Sequence, residues 1–149
     1  MRGYFGIGVE NLKNGLNLGT LWRHAYNMGA SFMFTIGREY VRQLSDTAKA
    51  YRHIPLFRYK SFEELNIPYD CPLIGVEIDD KAEDLIKFTH PERAIYILGP
   101  EDGSLSNKVK SKCHRLVKLS TKYCLNVAVM GSILMYDRMV KRQTNEATQ

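Results

Sequence analysis

The chain has 149 residues, of which 44% are apolar and 25% charged, and it carries a net charge of +5. That length and balance predict one globular domain with room for a real core. No apolar run is long enough to cross a bilayer, which argues against a helical membrane protein, and the N-terminal Met-Arg-Gly-Tyr-Phe-Gly lacks the apolar centre of a signal peptide, so a cytoplasmic location is expected.

Residues 4–9 read as a first strand. Its Gly6-x-Gly8 pair suggests a dinucleotide-binding turn, but Asn11 stands where a third glycine is needed, and that reading is rejected. After a polar loop from Glu10 to Gly15, Asn17 is placed at the N-cap of a helix. The helix carries an apolar stripe through Leu18, Leu21, Trp22, Ala25 and Met28 and ends near Gly29. Arg23 lies within two turns of its start, beside the small residues Gly19 and Thr20. It either reaches toward a ligand or lays its stem along the helix.

Ser31–Ile36 read as a second strand. Ser45-Asp46 is a possible cap for a short helix over Thr47–Arg52, and Leu56–Tyr59 a further strand. Ser61-Phe-Glu-Glu-Leu has the form of a capping box. Leu73–Ile78 form another strand, and Asp80–Phe88 a short amphipathic helix or loop. An apolar run, Ile95 to Leu98, then stops at Gly99-Pro100 and is followed by Glu101-Asp102, Gly103 and Ser104. This reads as a strand, a tight loop and a helix over about 104–112, with Ser104 as its cap. In open α/β sheets ligands sit at such carboxyl ends of strands. A strand at His114–Leu119 and a long helix over Leu125–Val140 close the chain, with the polar residues beyond about 140 expected to fray. The alternation predicts an α/β fold with a mainly parallel sheet flanked by helices.

Cys71, Cys113 and Cys124 form no CxxC pattern, which fits a reducing compartment. His24, His53, His90 and His114 show no ligand spacing, so no metal is expected. Charge is unevenly spread. No acid occurs between Ser104 and Met135, where Lys108, Lys110, Lys112, Arg115, Lys118 and Lys122 lie. Arg38, Arg42, Lys49, Arg52, Arg58 and Lys60 form a second cluster, diluted by Glu39 and Asp46 and interleaved with Tyr40, Tyr51, Phe57 and Tyr59. Each is either a solvated face or a surface for phosphates.

Three stretches taken together are more specific. Asn17-Leu-Gly19-Thr-Leu-Trp-Arg23, Leu98-Gly99-Pro100-Glu101-Asp-Gly103-Ser-Leu105 and Cys124-Leu125-Asn126-Val127 occur in the order of the three motifs of the SpoU/TrmH family of the SPOUT superfamily. The chain resembles these S-adenosylmethionine-dependent RNA ribose 2′-O-methyltransferases over nearly its whole length. It departs from them at Cys124, where the family usually has serine, and at Lys118, which replaces a common proline.

The resemblance implies a single methyltransferase domain over residues 1–149, with a C-terminal trefoil knot. It implies an S-adenosylmethionine site in the loops that follow three strands, formed around Val76, Leu98, Gly99, Val117, Leu119, Cys124 and Leu125. Arg23, Asn17, Glu101 and Asn126 are the implied catalytic residues. Arg23 would take the hydroxyl proton or clamp the substrate phosphate, the asparagines would orient the site, and Glu101 would hold Arg23 or a backbone N–H. A homodimer using the final helix is implied, with Val127, Met130, Leu134 and Met135 serving either the core or the partner. An RNA substrate is implied, and tRNA is favoured over rRNA because minimal single-domain relatives act on the tRNA wobble position. The alternatives are a non-catalytic RNA-binding scaffold on the same fold and a flavodoxin-type nucleotide-binding protein.

Overall fold

The computed structural model describes residues 2–38 and 49–148. The predicted Ser45-Asp46 cap, the first two residues of the Thr47–Arg52 helix, and Tyr40 and Arg42 lie outside the described residues, and the rest of that helix is a 3-10 turn over Ala50–Arg52. Among the described residues seven strands form one parallel sheet: β1 (Tyr4–Glu10), β2 (Phe32–Ile36), β3 (Leu56–Tyr59), β4 (Leu73–Val76), β5 (Glu83–Asp84), β6 (Arg93–Leu98) and β7 (Arg115–Lys118). Their order across the sheet is β3-β2-β1-β6-β4-β7-β5, and every pairing is parallel. Helices α1 (Gly15–Asn27), α2 (Asn107–Lys112) and α3 (Val127–Ala147) flank it.

Each central strand is buried on both faces, which explains why it reads as a continuous apolar run. On β6, Ala94, Tyr96 and Leu98 join the core under α1 and α3, while Ile95 and Ile97 join the opposite core under α2. Gly6 and Gly8 serve packing. A Cβ at either position would come within 2.3–2.4 Å of the Phe32 or Phe34 ring. Gly131 does the same between helices, where a Cβ would lie 2.5 Å from Leu21 Cδ1.

Several boundaries differ from expectation. Asp80–Phe88 is a two-residue strand followed by a 3-10 turn over Leu85–Lys87, with Asp84 accepting from the Ile86 N–H at its start. Phe62–Glu64 is a 3-10 turn, and Ser61 makes no side-chain cap. Helix α2 starts at Asn107 rather than near residue 104, because Ser106 and not Ser104 accepts from the Val109 N–H.

Helix α3 continues to Ala147, seven residues past its expected end at Val140. Long cations hold this polar stretch by taking up carbonyl groups of neighbouring turns. Lys141 donates to the carbonyls of Leu85, Ile86 and Phe88, Arg138 to those of Pro91 and Glu92, and Arg142 to that of Arg2. Val127, Leu134 and Met135 are buried core residues. The exposed apolar positions of α3 are Val129, Tyr136 and Val140.

Candidate active site

The site grows from the start of α1. Asn14, not Asn17, is the N-cap, with its Oδ1 accepting from the Leu16 N–H at 2.9 Å. Asn17 therefore sits in the first helical turn with its amide released from capping. Its Nδ2 donates to Glu101 Oε1 at 2.8 Å, and its Oδ1 accepts from Asn126 Nδ2 at 3.0 Å. Asn126 is itself the N-cap of α3, where its Oδ1 accepts from the N–H groups of Ala128 and Val129.

Glu101 completes the chain of hydrogen bonds. Its carboxylate accepts from the backbone N–H groups of Lys13 at 2.9 Å and Asn14 at 3.0 Å. Holding backbone N–H groups is one of the two roles expected for it. The negative charge lies at the start of α1, where helix N–H groups and the dipole favour an anion. Burial alone raises the Glu101 carboxyl. Hydrogen bonds from the Asn17 amide and from the backbone N–H groups of Lys13, Glu101 and Asn14 outweigh it and hold the group below the usual carboxylate range. The network thus ties the N-termini of α1 and α3 to the loop after β6.

Two further carboxylates fix that loop. Glu77 accepts from the Leu105 N–H at 2.7 Å. The buried Glu10 accepts from both the N–H and the hydroxyl of Ser106, at 2.7 and 2.8 Å. The loop turns so tightly that a Cβ on Gly99 would lie 2.8 Å from the Leu105 nitrogen and 3.0 Å from the Ser104 carbonyl carbon.

Beside this loop, at the carboxyl ends of β4, β6 and β7, lies a cleft enclosing about 580 Å³ of empty space, part of it open solvent. Val76, Leu98, Gly99, Leu119, Cys124 and Leu125 line it, as does Glu101. Val117 does not. It is fully buried in β7 behind the lining, and its carbonyl accepts from the Glu77 N–H at 3.0 Å. Asn17 and Asn126 adjoin the cleft through Glu101 without lining it. Arg23 lies on the exposed side of α1, outside the lining, and its carbonyl accepts from Asn27 Nδ2. Glu77, Ile78 and Met130 line the cleft without having been assigned to the cofactor site by sequence. Glu77 is one acid after an apolar run, and nothing in its spacing marks it. Asn14 and Asn17 are equally good caps by type, so composition alone does not choose between them.

The two basic clusters differ. Lys108 pairs with Glu63, Lys110 with Asp79 and Arg115 with Glu83. Three of the six cations in the acid-free run are therefore paired with acids from other parts of the chain. Among the described residues, Lys49, Arg52, Arg58 and Lys60 have no ion-pair partner.

A family profile described as the SpoU rRNA Methylase family matches residues 5–136. The chain belongs to the SpoU rRNA methylase family. The SpoU methyltransferase AviRb from Streptomyces viridochromogenes superposes with a TM-score of 0.85 at 18% identity, covering 97% of this chain and 62% of AviRb. The TrmH/SpoU tRNA modifying enzyme of A. aeolicus gives 0.80 at 12% identity, covering 95% and 77%. A structure described as giving insights into the 2-OH methylation of C/U34 on tRNA gives 0.79 at 17% identity, covering 95% and 98%. The chain thus spans about three-fifths of AviRb and nearly all of the last protein. No curated protein matches it by sequence. These likenesses establish the parallel α/β fold of SpoU and TrmH proteins.

Proposed function

We propose that this SpoU-family chain is an S-adenosylmethionine-dependent RNA methyltransferase acting on a ribose 2′-hydroxyl, with tRNA as substrate. The observation that carries the reading is the cleft beside the Asn126–Asn17–Glu101 network, formed by the three stretches that resemble the family motifs. AviRb has been solved in complex with AdoMet. The C/U34 tRNA methylation structure matches this chain over nearly the full length of both, which favours tRNA over rRNA.

The lining suits this cofactor. Val76, Leu98 and Leu125 offer apolar walls for a flat adenine ring, and the turn at Gly99 leaves backbone groups open to close approach. Val76, Leu98, Gly99, Leu119, Cys124 and Leu125 would hold the cofactor, with Val117 supporting them from behind. When bound, S-adenosylmethionine supplies an electrophilic methyl group.

The chain's own residues provide position and charge. Glu101, held ionised, and the amides of Asn17 and Asn126 lock α1 and α3 against the cofactor loop. Arg23, six residues after Asn17 on the same helix, clamps the RNA phosphate and stabilises the alkoxide as the hydroxyl loses its proton. A guanidinium is protonated at ordinary pH, which favours the clamp over proton abstraction. The trefoil knot belongs to the same reading and is supported by the return of β7 to a place between β4 and β5. So does a homodimer, supported by the exposed Val129, Tyr136 and Val140 stripe of α3. A cytoplasmic location completes it.

The test is calorimetric titration with S-adenosylmethionine and S-adenosylhomocysteine, followed by labelled methyl transfer to bulk tRNA and rRNA. Saturable binding of one ligand per chain and labelling of tRNA are expected. Cys124 in place of the usual serine favours one alternative, a non-catalytic RNA-binding scaffold, and RNA binding by a folded protein that takes neither ligand with or without RNA and transfers no methyl group is the outcome expected of it.

A further inference from the structure

We infer that the surface made by Tyr26, Tyr51, Arg52 and His53, next to Arg23, seats an unpaired nucleobase of the RNA. The inference rests on the RNA-methyltransferase reading and adds the form of RNA it takes. Tyr26 and His53 are already stacked face to face, with ring centroids 4.3 Å apart and planes 12° from parallel. Tyr51 is 56% exposed, and the Arg52 guanidinium lies 5.8 Å from its ring centroid. Behind them is a rigid support. Trp22 meets Tyr51 edge to face at 6.5 Å and donates from its indole N–H to the Ile54 carbonyl.

Clustered exposed rings gain burial when a flat occupant covers them. Charge indicates which. The segment from Lys49 to Lys60 has four Lys or Arg residues and no acid, and α1 has no acid either. A flat, apolar, polyanionic ligand suits this combination, with its base on the rings and its phosphates near Lys49 and Arg52. Duplex RNA hides its base faces within its own stack, whereas unpaired bases are free to stack on aromatic side chains. Arg23 and Tyr26 are three residues apart on one helix and so are surface neighbours. A base held on Tyr26 and Tyr51 places its adjoining phosphate within the reach of Arg23.

The experiment compares binding of a short unstructured RNA and of the same sequence as a duplex, by fluorescence anisotropy of labelled RNA and by emission of Trp22, the single tryptophan. S-adenosylmethionine binding is measured on the same preparations. Single-stranded RNA is expected to bind more tightly than duplex. Tyr51→Leu and His53→Ala should each weaken single-strand binding about tenfold, the scale of one lost base stack, while leaving duplex and cofactor binding unchanged. Tyr51→Phe, which keeps the ring, should bind as the parent does and preserve the change in Trp22 emission. Equal affinity for the two forms overturns the inference, as does an unaffected Tyr51→Leu protein. If both occur in a protein that still binds the cofactor and methylates RNA, the platform fails and the enzymatic reading stands. A parent protein that binds no RNA overturns both.

Discussion

Asn17 and Glu101 are 84 positions apart in sequence, yet the Asn17 amide donates to the Glu101 carboxylate at 2.8 Å. That one bond joins the first turn of α1 to the loop that borders the cleft. It is extended by Asn126, so three separate stretches share one chain of polarised hydrogen bonds.

Replacing Asn17 tests the direction of that chain. Asn17→Ala removes a donor to Glu101 and an acceptor for Asn126, and is expected to lower stability by about 1–2 kcal/mol. Asn17→Asp keeps the shape but sets a second carboxylate against Glu101, so it should be the more damaging at pH 7. The excess should shrink as pH falls and one carboxyl takes a proton. Urea unfolding of the two variants at pH 7 and pH 4.5 measures the difference.

Gly99→Ala should disable the cofactor site more than the fold. The new Cβ meets backbone atoms at 2.8 and 3.0 Å, so the loop and not a side chain must shift. Glu77 and Glu10 hold the far end of that loop, which confines the shift to the part bordering the cleft. Cofactor affinity is expected to fall at least about tenfold, roughly 1.4 kcal/mol, by calorimetry.

Arg23→Ala separates binding from chemistry. Arg23 lies outside the lining, so cofactor affinity should stay within about twofold of the parent, whereas methyl transfer should fall by about 10²-fold or more, the usual cost of removing a group that stabilises developing charge. Retained transfer in this variant removes Arg23 from the mechanism. Single-turnover transfer to tRNA at saturating cofactor is the measurement.

His90 should set a pH limit on stability. It is buried among Tyr96, Phe88 and Asp137. Burial pushes its pKa down from 6.5 to about 4, although Asp137 pulls it upward. Lys141 and Arg138 add to the downward pull. The neutral ring satisfies every partner: Nε2–H donates to Asp137, Nδ1 accepts from the Tyr96 hydroxyl, and the Tyr96 oxygen accepts from Arg138. Its contribution is complete above about pH 6.5. It is lost as pH falls toward about 4, because the unfolded ring takes up a proton that the folded ring refuses. The full loss is on the order of 3 kcal/mol. Denaturant unfolding from pH 7 to pH 4.5 should show the slope, and His90→Gln should flatten it.

What could be read along the chain depended on how local each cause was. Apolar runs such as Ile95–Leu98 are strands because both faces of a parallel sheet are buried, and that need is written into consecutive residues. The three motif stretches were legible for the same reason. The cap of α1 was not, because Asn14 and Asn17 are interchangeable by type, and the choice depends on Glu101 arriving from 84 positions away. The basic run after Ser104 read equally as a solvated face or a phosphate surface, because Glu63, Asp79 and Glu83, which pair with three of its cations, come from distant parts of the chain. The end of α3 looked too polar to persist, because the carbonyl groups that hold Lys141 and Arg138 come from distant turns. Sequence by itself determined the mainly parallel α/β class, the family resemblance and the neighbourhood of the cleft. The tertiary structure alone decided which polar groups meet, since side-chain hydrogen bonds and ion pairs form between elements whose approach no local pattern records.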